Sequence, residues 1–167
     1  MTAPSPRMPA KSTSGPVPSM LAAAGVAVLL NGGLVLWDQK IFSADSSPAA
    51  RFAPPGWLVG GVWIVLFALL GLARWRLLQA RSLAGREAAR WTMVFIGVCA
   101  VYPVYTVGLR SLAAGFFGNI GTAIFAIVLG LRVRRVDQGS AGVYALVVGW
   151  LCYATLAVAE ELGWLPF

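Results

Sequence analysis

The sequence predicts an all-α membrane protein, a bundle of five transmembrane helices. Two observations carry this prediction, the composition and the repetition of long apolar runs. Of 167 residues, 59% are hydrophobic and only 11% are charged, whereas a soluble domain usually carries about 25% charged residues. So few charges could not cover a water-exposed surface, so a lipid-facing surface is the simpler account. Helices fit such runs best, because an open strand edge in lipid would leave backbone amides unpaired.

Polar segments divide the chain into a tail and one membrane domain. Residues 1–19 are rich in Pro, Ser, Thr and Ala and predict a disordered tail, because such a composition cannot bury a core. The membrane domain is expected over residues 20–167. Its helices are predicted over residues 20–37, 55–75, 91–109, 115–133 and 141–164. The first run lacks a clean cleavage site, which favours a retained helix over a signal peptide.

The positions of the basic residues predict the orientation. A net charge of +7 would suggest nucleic acid for a soluble chain, but here the charges lie mostly between the apolar runs, and no nucleic-acid partner is expected. One side of the membrane collects ten basic residues: Arg7, Lys11, Arg74, Arg76, Arg81, Arg86, Arg90, Arg132, Arg134 and Arg135. The other side has Lys40, Arg51 and Arg110. The N-terminus is therefore predicted to be cytoplasmic and the C-terminus outside. The excess of arginine over lysine suggests a bacterial cell membrane.

Several kinds of catalytic and cofactor site are missing from the sequence. There is no histidine, and no P-loop, GxGxxG or HExxH motif occurs. Histidine is the usual proton shuttle and the commonest metal ligand. We therefore expect no metal, no obligatory cofactor and no catalytic residue, and an enzyme is not the favoured interpretation.

The second predicted helix carries aromatic residues and glycines on one side. At 100° per residue, five side chains fall within about 120° of one another: Trp57, Gly60, Trp63, Phe67 and Gly71. This face could pack another helix through its small residues, with Trp57 as an interfacial anchor. It could instead form the wall of an aromatic ligand cavity. The sequence leaves both interpretations open.

Polar and aromatic residues elsewhere add candidates. The fifth predicted helix places Trp150, Tyr153 and Glu160 on one face, and Asn31 and Asn119 lie inside apolar runs. Intramembrane polar residues usually face the bundle interior, where they bond other helices or a ligand. The carboxylates of Glu160 and Glu161 are expected near the outer interface, solvated or in contact with a bound polar group or with Arg51. A proline after Tyr102 predicts a kink that opens room beside it.

The run from Pro54 to Gly71 has the pattern Pro-Pro-x-Trp-x(5)-Trp-x(2)-Leu-aromatic-x(3)-Gly and resembles the TspO/MBR family, the tryptophan-rich sensory proteins related to the mitochondrial translocator protein. Trp150-Leu-Cys-Tyr153-Ala-Thr in the fifth helix is similar to the family, and Tyr102-Pro103 stands where the family has Trp-Pro. In the fourth helix, Gly118 replaces a common acidic residue. The basic residue of a sterol-recognition pattern is missing after the fifth helix.

The resemblance implies a receptor or sensor, often a homodimer, with a pocket between the helices under the first loop. Its ligands would be tetrapyrroles such as porphyrin or haem, or other flat hydrophobic molecules. The implied ligand-binding residues are Trp57, Trp63, Phe67, Tyr102, Trp150, Tyr153, Asn31 and Arg51, with Arg51 meeting a propionate. The alternatives are a porphyrin-degrading membrane enzyme, and a small transporter or structural membrane subunit.

Overall fold

The computed structural model describes residues 15–37, 52–108 and 111–165. These residues form helices α1 (Pro16–Trp37), α2 (Gly56–Gln79), α3 (Leu83–Gly108), α4 (Leu112–Arg134) and α5 (Gln138–Glu161), and the described part contains no strand. The all-helical prediction is confirmed. Three of these helices, α2, α4 and α5, are long and apolar enough to cross a membrane.

The helices extend beyond the apolar runs at the end of the bundle that carries most of the arginines. The segment between the second and third runs is mostly helical, since α2 continues to Gln79 and α3 begins at Leu83. Ser82 stabilises the start of α3 because its hydroxyl accepts a hydrogen bond of 2.9 Å from the amide of Gly85. An apolar run therefore marks only the part of a helix that is suited to lipid. The helix can continue beyond that run through arginine and glutamate, because both are good helix formers.

Four helices close into a ring around the core, and the fifth packs on its side. Neighbouring pairs in the ring are α2 with α3, α3 with α4, α4 with α5 and α5 with α2, while α1 packs along α2 and touches α3. Neighbours in sequence are therefore neighbours in space, as short connections favour. The largest fully buried hydrophobic side chains are Phe95, Tyr144, Leu70, Leu77, Leu151, Val133 and Val147.

At Gly71 the backbone of α1 lies close against α2. The hydroxyl of Ser19 donates a hydrogen bond of 2.8 Å to the carbonyl oxygen of Gly71. A Cβ at Gly71 would overlap the carbonyl oxygen of Ser19 and lie 3.0 Å from the Cα of Met20. At Gly71, this face of α2 therefore packs against another helix through a small residue, which was the first interpretation of the α2 face.

A buried polar link joins α3 to α5. The hydroxyls of Thr92 and Tyr144 lie 2.8 Å apart, and Thr92 also donates to the carbonyl of Ala88 at 2.8 Å. The ring of Tyr144 lies 5.6 Å from that of Phe95, and Gly130 of α4 leaves room for it, since a Cβ there would lie 3.0 Å from the Tyr144 Cβ. These polar groups satisfy one another inside the bundle, as burial requires.

The outer surface of the bundle is apolar. In the most apolar stretches of α2, α4 and α5, only 39%, 28% and 22% of the residues, respectively, are buried within the protein. Exposed side chains on these helices include Val65, Ile124, Leu131 and Leu146. Extensive exposed apolar surface of this kind marks a contact with a membrane or another protein. The chain is an integral membrane protein whose outer surface contacts the lipid bilayer.

Asp137 caps α5 next to Arg76 at the end of α2. Its carboxylate accepts a hydrogen bond of 2.7 Å from the amide of Ser140. Hydrogen bonding to Ser140, helped by the charge of Arg76, lowers the pKa of Asp137 below its ordinary value of 3.8, although burial opposes the shift. The capping contribution is therefore present above pH 3.8 and is lost as the pH falls through the pKa of the folded state.

We expect Asp137→Ala to lower the free energy of unfolding by about 1 kcal/mol at pH 7, because an N-cap acceptor is removed. Asp137→Asn keeps an acceptor and should lose less. The free energy of unfolding of each variant and of the wild type would be measured in detergent at pH 7 and again at a pH below the ordinary pKa of aspartate. The difference between variant and wild type should be smaller at the lower pH. An equal loss at both pH values would contradict the assigned carboxylate.

Candidate functional site

Trp63 joins α2 to α3 in the half of the bundle away from the arginine-rich end. Its half-buried ring lies 5.9 Å from the ring of Phe67, nearly perpendicular at 77°, and 6.3 Å from the ring of Tyr102 at 37°. Phe67 follows Trp63 by one helical turn, so the two share a face, and Phe67 is only 2% exposed. The structure thus brings together three of the residues expected from the sequence.

Trp150 and Tyr153 form a second aromatic pair, on α5. Their ring centroids are 5.5 Å apart and their planes are inclined at 39°. Trp150 packs against the buried core, and α5 packs against α2, which carries Trp63. The two aromatic groups therefore occupy adjacent helices of the ring.

The chain just before α2 is fastened to α5 by two hydrogen bonds. The hydroxyl of Tyr153 donates to the carbonyl oxygen of Phe52 at 2.9 Å, and the amide of Phe52 donates to a carboxylate oxygen of Glu160 at 2.8 Å. Both partners of Phe52 were expected near this end of the bundle. Their bonds to its backbone could not be deduced from the sequence, because the partners lie far apart along the chain.

Of the remaining expected site residues, only Trp57 has a described side chain. Trp57 lies in the first turn of α2 with 74% of its surface exposed, whereas Trp63 and Phe67 face inward. Arg51 lies outside the described residues, as does the side chain of Asn31, although its backbone belongs to α1. Their roles stay predictions.

Asn119 is a buried polar residue that was noted in the sequence but not assigned to the ligand site. It lies on the buried face of α4 and is 1% exposed. Within the described part of the chain, neither its amide nitrogen nor its amide oxygen has a hydrogen-bond partner. The alternative of bonding between helices is therefore not realised there. The signal available from the sequence was its spacing from Gly115, Thr122 and Ala126, which puts it on the buried stripe.

The described residues contain no group of three or more His, Cys, Asp or Glu side chains able to hold a metal ion. Trp63 contacts the rings of Phe67 and Tyr102 and packs against the apolar core. This environment suits a flat organic molecule, because aromatic faces bind flat rings by offset stacking.

A model of the TspO/MBR family matches residues 19–161, nearly the whole chain. The chain belongs to the TspO/MBR family. This finding confirms the resemblance seen between Pro54 and Gly71, and the matched range contains α2 to α5 in full and most of α1. No characterised protein and no solved structure matches the chain closely enough to add a relative.

In this TspO/MBR chain the tryptophan-rich motif therefore coincides with α2, the helix that meets α1, α3 and α5. Membership in the family points to a multi-pass membrane protein that binds or senses hydrophobic ligands. The identity of its ligand is a separate question.

Proposed function

We propose that this TspO/MBR protein is a membrane receptor or sensor that binds a flat, tetrapyrrole-like ligand between its helices. Porphyrin or haem is the expected ligand, held reversibly rather than as an obligatory cofactor. The binding residues would be Trp63, Phe67 and Tyr102 on one side and Trp150 and Tyr153 on the other. Trp57, Asn31 and Arg51 would complete the site beneath the first loop.

The observation that carries this proposal is the position of Trp63. Its ring contacts Phe67 on its own helix and Tyr102 on α3, yet it keeps some exposed surface. An indole that is held by two neighbours and still accessible loses little conformational freedom when a ligand stacks on it.

The proposed topology has five membrane spans, with the N-terminus in the cytoplasm and the C-terminus outside a bacterial cell membrane. Exposed arginines support it, since those at positions 76, 81, 86, 90, 132, 134 and 135 lie at the end of the bundle that holds the α2–α3 and α4–α5 connections. Association into a homodimer is part of the same proposal.

Titration of the detergent-solubilised protein with protoporphyrin IX tests the proposal. We expect saturable quenching of tryptophan fluorescence in the micromolar range, because the ligand would stack near Trp63 and Trp150. Free tryptophan amide at equal absorbance controls for inner-filter loss. Fluorescence that stays unquenched would favour a structural subunit whose helices are packed shut.

Illumination of the same complex separates a receptor from a porphyrin-degrading enzyme. A receptor leaves the absorption spectrum of the bound porphyrin unchanged beyond the bleaching seen without protein. New absorbing products that form only with the protein would favour the enzyme.

A further inference from the structure

Asn119 differs from Thr92 and Ser140, two other buried polar residues of this bundle. Thr92 bonds the Ala88 carbonyl and the Tyr144 hydroxyl, and Ser140 donates to the Ala73 carbonyl at 3.4 Å. Asn119 is as deeply buried as these residues, at 1% exposure, but its amide nitrogen and amide oxygen have no partner in the described part of the chain.

An unpaired carboxamide is unfavourable in this location. The group offers two N–H donors and a carbonyl acceptor, and burying it in apolar surroundings costs free energy unless it is hydrogen-bonded. The bilayer supplies no water at this depth to compensate. The nearest residues of the same buried stripe are Gly115 and Thr122, and Ala126 and Leu129 follow further along α4. Within the described part of the chain, Asn119 therefore lacks the polar partner that burial requires.

The depth of Asn119 matches that of the aromatic site. At a rise of about 1.5 Å per residue, Asn119 lies about 10 Å from the first residue of α4, and Trp63 lies about 10 Å from the first residue of α2. Tyr102 lies about 9 Å from the last residue of α3. These helix ends lie at the same end of the bundle, and α4 packs against α3 and α5, which carry Tyr102 and Trp150.

We propose that the Asn119 carboxamide is the hydrogen-bonding contact of this ligand site, and that it selects flat ligands with an N–H donor and a C=O acceptor side by side, as at the edge of a cyclic lactam. A primary amide can give one N–H and accept one N–H at such an edge, so two parallel hydrogen bonds form. The inference rests on the proposed function only in requiring that a flat ligand enters the bundle.

Two probes of the same shape test this selectivity. Phenanthridinone carries a lactam in a flat tricyclic ring, and phenanthrene is its hydrocarbon counterpart. We expect the wild-type protein to bind phenanthridinone at least about tenfold more tightly than phenanthrene, because a site with a buried amide disfavours a ligand that leaves it unpaired. Asn119→Leu should reduce that preference to less than about threefold.

Thr122→Val is the matched control, since Thr122 lies on the same buried face one turn away and is 4% exposed; it should keep the preference. The thermal midpoint of ligand-free Asn119→Leu should equal or exceed that of the wild type, because an unpaired polar group has been removed. Asn119→Ala serves as a second variant if the leucine does not fit.

The outcomes separate the two proposals. A wild-type protein that binds porphyrin but prefers neither probe would overturn the role of Asn119 and leave the proposed function intact. A preserved lactam preference in both Asn119 variants would also overturn it. A lactam preference that depends on Asn119, without any porphyrin binding, would support the role of Asn119 and contradict the tetrapyrrole ligand.

Discussion

Replacing Gly71 by leucine should displace α1 from α2 and lower the free energy of unfolding by about 3 kcal/mol or more. The added side chain would begin with a Cβ that overlaps the Ser19 carbonyl oxygen and lies 3.0 Å from the Met20 Cα. Both obstacles are backbone atoms, so no rotamer change can relieve them. The Ser19 hydrogen bond to the Gly71 carbonyl would be lost at the same time.

Gly61→Leu is the matched control for this substitution, because a Cβ at Gly61 meets nothing within 4 Å. The same change, in the same helix, should leave stability unaltered or improve it, since glycine is a poor helix former. Ser19→Ala removes the hydrogen bond alone and should cost about 1 kcal/mol. Thermal unfolding in detergent would rank the three variants, and equal losses for Gly61 and Gly71 would contradict the close helix approach.

Trp63→Ala should weaken protoporphyrin binding at least about tenfold, which corresponds to about 1.4 kcal/mol. The reason is that a stacked aromatic contact contributes about 0.5–1.5 kcal/mol beyond the apolar area that it buries. Binding is measured by porphyrin absorbance or by quenching of the remaining tryptophans. The α2–α3 contact is also weakened, so the thermal midpoint is recorded for each variant.

Trp91→Ala provides the comparison. Trp91 is 41% exposed and contacts one ring on a neighbouring helix, that of Phe125 at 6.3 Å, but it lies towards the arginine-rich end of α3. Its loss should change the porphyrin dissociation constant less than about threefold. Equal effects of the two substitutions would place the ligand elsewhere, or indicate a general loss of structure.

Much of the fold could be predicted from the sequence because the apolar runs are long and the breaks between them are polar. The start of α3 at Leu83 was missed for a physical reason, since hydropathy reports suitability for lipid and not the length of a hydrogen-bonded helix. The resemblance between Pro54 and Gly71 was sufficient to identify the family, because its tryptophans and glycine occur at fixed spacing.

The candidate site could be predicted only in part. Trp63 and Gly71 lie on one face of α2, and the helical period alone could not tell that Gly71 packs against α1 while Trp63 meets α3. That distinction depends on which neighbouring helix contacts α2 at each position along its length, and this is a property of the assembled bundle. The lack of a hydrogen-bond partner for the Asn119 amide could not be predicted either, because hydrogen bonding depends on the neighbours of a side chain and not on its own identity.

The backbone of Phe52 accepts a hydrogen bond from the Tyr153 hydroxyl and donates one to the Glu160 carboxylate, which also bears on the order of assembly. Both partners belong to α5, so this connection can form only after α2, α3 and α4 have been synthesised. A chain arrested before α5 would therefore leave the Phe52 backbone without these two hydrogen bonds. The start of α2 is thus fixed only once α5 has packed against it.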